Sequence, residues 1–122
     1  MPQVARFTVI PESDNAVTLP GTIGDVHFQG FQASGIDPSS HAVLAFRVNP
    51  KGSEPVTLRI RLQNSASNKS FEVKFTSDAH RSWHEIIAPG ALAAQGNELV
   101  VSATGPGSLE VSDFFFLYRA NI

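Results

Sequence analysis

Apolar and polar residues alternate along most of this chain. Val56, Leu58, Ile60 and Leu62 alternate with Thr57, Arg59, Arg61 and Gln63 without a fault. Leu44, Phe46 and Val48 fall on one side of a run whose other side carries Ala45 and Arg47. Phe71, Val73 and Phe75 alternate with Glu72 and Lys74. Shorter runs of the same kind are Phe7-Thr8-Val9, Val26 to Gln29, Leu99 to Ser102 and Leu109 to Ser112. A period of two is the side-chain period of a strand, with one set in a core and the other in water. Val, Ile, Thr and Phe, which fill these runs, suit a pleated, half-buried surface.

Turn chemistry separates the runs. Pro20-Gly21, Ser34 to Pro38, Asn49 to Gly52, Asn64 to Asn68, Pro89-Gly90, Gly96-Asn97 and Gly105-Pro106-Gly107 all mark breaks, and the last is expected to be a hairpin turn. No long window has a clean helical period. The best candidate, Ala91 to Gln95, lies between Pro89-Gly90 and Gly96 and has room for one helical turn. The pattern predicts an all-β fold: a two-sheet antiparallel jelly-roll sandwich of about eight strands, as one domain over residues 1–122. Phe46, Leu58, Ile60, Phe71, Val73, Phe75 and Leu99 share the inward phase and are the expected core.

The C-terminal strand breaks the alternation. Phe114-Phe115-Phe116-Leu117-Tyr118 is apolar on both faces, so either 114/116/118 or 115/117 points away from the core. A bulge at Ser112-Asp113 would decide which half that is. Phe114, Phe115, Phe116 and Tyr118 are therefore the candidate interface of a homo-oligomer or a docking face.

The order of parts near the C-terminus resembles a known group. Trp83-His84-Glu85-Ile86-Ile87-Ala88-Pro89 is a strand running into Pro, Gly96-Asn97-Glu98-Leu99-Val100-Val101 a Gly-Asn entry into a strand, and Ser108 to Tyr118 a long final strand with Ser112-Asp113 inside it. This is similar to the closing strands of galactose-binding-domain-like jelly rolls, which include many carbohydrate-binding modules. The resemblance covers roughly the last 40 of 122 residues. Its motifs mark the fold: Trp83 as a core residue, Gly96-Asn97 as a turn, Asp113 as a partner for backbone donors near the bulge. It implies a lectin-like function, with a site on loops at one end of the sandwich.

Composition narrows the chemistry. Charged residues make up only 16% of the chain, so much of the surface must be Ser, Thr, Asn, Gln and Gly. The net charge of −2 points to no nucleic acid partner. There is no cysteine, which excludes disulfides, Cys-ligated metals and thiol nucleophiles. No export signal precedes the first strand, and no apolar run approaches the ~20 residues of a membrane span, so a soluble chain without membrane insertion is expected.

Few residues offer catalysis. His80 and His84 are four apart, but on a strand that spacing separates two rings by about 13 Å, too far for one zinc. There is no Gly-x-Ser-x-Gly elbow and no phosphate-binding glycine loop. Glu72, Glu85, Glu98 and Glu110 fall mostly at outward strand positions, which suits a solvated face better than a glycosidase pair. No cofactor is expected; a structural calcium would draw on Asp25, Asp37 and Asp113. Arg47, Arg59 and Arg61, with Lys74, would form a cationic stripe if their strands share a sheet. That stripe is either a solvated face with cross-strand ion pairs or a patch for an anionic sugar, a phosphate or an acidic surface.

One Trp and one Tyr cannot build a broad aromatic platform, so a bound glycan would need a pocket with one stacking ring and several hydrogen bonds. The loop candidates are Asp25, His27, Gln29, Asp37, His41, Asp78, His80 and Arg81. The sequence thus supports a non-catalytic, carbohydrate-binding module. The alternative is a structural or assembly protein that docks through its C-terminal strand.

Overall fold

The computed structural model of the chain describes residues 2–10, 13–14, 16–20, 25–76 and 80–121. Among them are nine strands: β1 (Gln3–Val9), β2 (Val17–Leu19), β3 (Val26–Gln29), β4 (Ala42–Lys51), β5 (Val56–Gln63), β6 (Asn68–Phe75), β7 (Arg81–Ile87), β8 (Glu98–Thr104) and β9 (Ser108–Asn121). Two antiparallel sheets face each other. One has the order β1-β9-β4-β7, with β2 also on β9; the other has the order β3-β8-β5-β6. β2, three residues long, is too short to be seen as alternation. Ala91 to Gln95 forms bends rather than a helical turn, because the Asn97 side chain holds both the N–H (2.9 Å) and the C=O (2.7 Å) of Ala93.

Chain neighbours mostly change sheets. β5 and β6 pair as a hairpin, whereas β4 to β5, β6 to β7, β7 to β8 and β8 to β9 each cross from one sheet to the other. Gly105-Pro106-Gly107 is therefore an arch between the sheets and not the expected hairpin turn. The same crossing separates Arg47 on β4 from Arg59 and Arg61 on β5. The three arginines lie in different sheets, and the single stripe is split.

The core fills the space between the sheets. Phe46, Leu58, Ile60, Val73, Phe75 and Leu99 are buried in it as expected, but Phe71 is only partly buried, because β6 is an edge strand. Phe114 meets Phe46 at 4.9 Å and Phe28 of the opposite sheet at 5.8 Å, and Phe116 stacks on Phe31 at 5.5 Å. Trp83 is half-buried, edge-on to Phe75 with its indole N–H donated to Glu85. Glu85 is paired with Leu44 and so lies on the inward phase of β7 at the open sandwich edge, not on the outer face.

The bulge in β9 sets the phase of the last strand. Ala45 pairs with Phe115 and Arg47 with Ser112, so Phe46 alone stands opposite Asp113 and Phe114. Asp113 takes φ +57°, left-handed backbone that Asp tolerates better than most side chains. Before the bulge Leu109 and Val111 point inward; after it Phe114, Phe116, Tyr118 and Ala120 do. Phe114, Phe116 and Tyr118 are thus core residues rather than interface residues, and only Phe115 of that set faces outward, with Leu117.

Asp113 does not serve the bulge's backbone. Its carboxylate accepts from Ser112 Oγ (3.3 Å) and lies 3.8 Å from Arg47. Buried Ser13 does so instead: its hydroxyl accepts from Phe114 N at 2.9 Å and donates to Ile10 O at 2.7 Å. Ser13→Ala leaves a buried N–H without its partner and is expected to cost about 1–3 kcal/mol. Urea unfolding measures this, and a loss below about 0.5 kcal/mol would remove Ser13 from that role.

Candidate functional site

The outer face of the five-stranded sheet is divided in two by the bulge. On one side of it, cross-strand register aligns Phe7, Leu117, Val43 and Ile86 in one row, and Val9, Phe115, Ala45 and His84 in the next. Phe7 is 68% exposed, Ile86 63%, Val9 49% and Leu117 43%. On the other side, Ser112, Arg47 and Ser82 align, followed by Thr18, Glu110 and Asn49. β4 keeps one phase throughout, whereas β9 changes phase at the bulge.

The polar half holds a cleft of about 310 Å³, lined by Ala16, Arg47, Val48, Asn49, His80, Arg81, Ser82, Glu110 and Ser112. Lys51 pairs with Glu110. In the amide orientation that satisfies both groups, Asn49 donates to His80 Nε2 (2.8 Å) and accepts from Lys51 Nζ (3.1 Å). Hydroxyls, an amide, an imidazole and charged groups thus converge in a cleft that begins at Arg47, two residues or about 7 Å along β4 from Ala45, the register partner of Phe115. In ligand sites of this composition, polar groups fix orientation while apolar surface supplies contact area.

The outer face of the four-stranded sheet is polar. Gln29, Glu98, Gln63 and Asn68 form one row, and His27, Val100, Arg61 and Ser70 the next. Glu98 is its hub. Gln29 donates to it at 2.5 Å, Gln63 donates to its other oxygen, and His27 Nδ1 lies 3.2 Å away. The amide donors of Gln29 and Gln63 hold its carboxyl below the usual glutamate range, against the opposing effect of desolvation. A shallow cleft of about 410 Å³ extends from this row past Gly30, Asn64, Gly96 and Asn97.

The sequence candidates therefore scatter. His80 and Arg81 line the cleft of the five-stranded sheet. His27 and Gln29 lie on the opposite sheet, just after Asp25. Asp37 belongs to the end where β9 finishes, accepting from Ser39 N (3.0 Å), Ser39 Oγ (2.7 Å) and Gln3 Nε2 (2.6 Å). The Ser39 bonds hold its carboxyl below the usual aspartate value. His41 precedes β4 and is exposed at that same end of the strand. Asp78 lies outside the described residues. Among the described residues no three His, Asp or Glu side chains form a metal-binding group, so Asp25, Asp37 and Asp113 do not converge on a calcium. Asn49, Ser82, Glu110 and Ser112, for which the sequence suggests no ligand site, are brought with Arg47 to one face by three strands distant in sequence.

No protein-family model matches the sequence, and no curated protein matches it either. Solved structures do match the fold. A xylan-binding module of family CBM15 superposes with a TM-score of 0.60 at 16% identity, over 90% of this chain and 81% of that one. The CBM36-1 domain of a multidomain xylanase from the hindgut metagenome of Trinervitermes trinervoides matches at TM-score 0.53 and 12% identity, over 98% and 100% of the two chains. A CBM22-1–GH10 xylanase fragment of Clostridium thermocellum, in complex with xylohexaose, matches at TM-score 0.53 and 10% identity; this chain covers 25% of it. The fold is that of the carbohydrate-binding-module β-sandwiches.

Proposed function

We propose that the protein is a non-catalytic carbohydrate-binding module whose glycan lies on the outer face of the five-stranded sheet, across the Asp113 bulge. The observation that carries this reading is the juxtaposition of the polar cleft at Arg47, Asn49, Ser82 and Ser112 with exposed Phe7 and Leu117 and the half-buried, outward-facing Phe115. C–H groups of a sugar ring pack on an aromatic face, and its hydroxyls take the polar groups beside it. Trp83 is half-buried and bonded to Glu85, and Tyr118 is buried with its hydroxyl on Ser34 O (3.3 Å), so neither is the platform. Fold likeness to modules described as xylan-binding makes a neutral β-linked polysaccharide such as xylan the ligand to test first.

Affinity electrophoresis in soluble xylan and a glycan array test this. Retardation is expected for the unmodified protein. It should fall at least about tenfold in affinity for Asn49→Ala and for the double variant Phe7→Ala, Phe115→Ala, with melting temperatures unchanged. Equal binding by all three proteins would remove the face from the site. The same exposed apolar rows fit a second copy of the chain as the competing occupant. A dimer at tens of micromolar in sedimentation, dispersed by the Phe7/Phe115 variant and indifferent to glycan, would favour assembly instead.

A further inference from the structure

The opposite sheet carries an arginine that the rest of its face does not neutralise. Arg61 points outward from β5, between Val100 and Ser70 in register, with Arg59 and Gln63 beside it on the same strand. It is only partly exposed, and its Nε is shielded from solvent with no hydrogen-bond acceptor among the described residues. Outward-facing Val100 is only 4% exposed, and its two register neighbours are His27 and Arg61. An arginine stem beside such an apolar neighbour can cover it and keep its guanidinium close to the sheet.

Two carboxylates of this face are engaged with other partners. Glu98 accepts from Gln29 and Gln63 and faces His27, while Glu72 lies 3.7 Å from Arg59. Lys74 adds a further cation on β6. What remains around Arg61 is neutral: Ser70 opposite it and Asn68 on β6, and the amide of Gln63, which uses one N–H on Glu98. A guanidinium fork without an acid partner, among groups that suit hydroxyls, matches a carboxylate carried on a polyhydroxyl frame.

We propose that the outer face of the four-stranded sheet is a second binding site, separate from the neutral-glycan face, that takes the carboxylate of a uronic acid residue on Arg61. Sugar hydroxyls beside that carboxylate meet Ser70, Asn68 and the Gln63 amide. The planar carboxylate can accept two parallel N–H bonds from the terminal nitrogens of the fork, whereas a lysine could offer only a point charge.

Calorimetric titration with oligogalacturonate tests this, using the full chain at low and at moderate salt. Binding is expected at low salt, weakening as salt rises. It should be lost when the carboxyls are methyl-esterified. Arg61→Met keeps an unbranched stem over Val100 and should leave the melting temperature unchanged while lowering affinity roughly tenfold or more. Arg61→Lys should also fall well below the unmodified protein, because charge without the fork is insufficient. Xylan binding should be unaffected by either variant, and oligogalacturonate binding should survive the Phe7/Phe115 double variant, so the two sites fail independently. Three outcomes overturn the proposal: no oligogalacturonate binding, full binding by Arg61→Met, or equal affinity for a sulfated glucan, which would indicate a charge patch without carboxylate recognition.

Discussion

Replacing Phe116 by Glu is expected to leave no folded protein, whereas replacing its neighbour Phe115 by Glu is expected to leave the fold intact. Phe116 has no exposed surface and stacks on Phe31 inside the sandwich. Losing that ring alone costs about 3–5 kcal/mol. A carboxylate in its place would be buried among apolar side chains without a partner, a further penalty of several kcal/mol. A domain stable by about 5–15 kcal/mol does not survive the sum. Phe115 is one residue away and on the other face, beside Val9 and Ala45, where a carboxylate reaches water. Its replacement should change stability by about 1 kcal/mol at most. Circular dichroism with thermal melting of both variants decides the matter. A folded Phe116→Glu or an unfolded Phe115→Glu would mean that β9 keeps the other phase beyond Asp113.

Gly107→Ala is expected to have the second largest effect. A Cβ at Gly107 would stand 2.3 Å from Glu54 O, closer than real Cβ atoms approach, and a tight 3.1 Å from Pro55 O. Both are backbone atoms, and Gly107 N donates to Pro55 O at 3.0 Å, so the arch cannot retreat without breaking the bond that docks it on the β4–β5 connection. The expected loss is about 3 kcal/mol or more. Gly90 is the control: it has positive φ (+84°) but open space around the missing Cβ. Gly90→Ala should therefore cost only about 1 kcal/mol, from backbone conformation alone. Denaturant midpoints of the two variants separate steric from conformational causes. Equal losses would show that the close approach at Gly107 is absent in solution.

The alternation at Val56–Gln63 and Phe71–Phe75 was sufficient to identify strands and, for most residues, their inward face, because burial of one face of a twisted sheet is a local, period-two constraint. The break in that alternation at Phe114–Tyr118 was equally visible. Which half turned outward was not, since it depends on one extra residue in β9 opposite β4, and register is a property of the pair. A bulge near Ser112-Asp113 is legible in the sequence, where the adjacent Asp113 is its expected support. The supporting hydroxyl comes from Ser13, at a sequence separation of 101.

The site shows the same division more sharply. Residue chemistry alone showed a polar, weakly charged surface, no thiols and no nucleophile motif, and the run of turns implied a sandwich. The loop residues chosen from it, His27, Asp37, His41 and His80, share polarity but not a place. Each strand crossing between sheets sends neighbours in sequence to opposite faces, so Arg47 and Arg61 end on different surfaces while Arg47, Ser82 and Ser112 meet on one. Local patterning determines what each strand presents to water, since that is settled within a few residues. Only the tertiary pairing of β4, β7 and β9 decides which presented groups converge, because convergence is set by hydrogen-bonded register between segments that no local pattern connects.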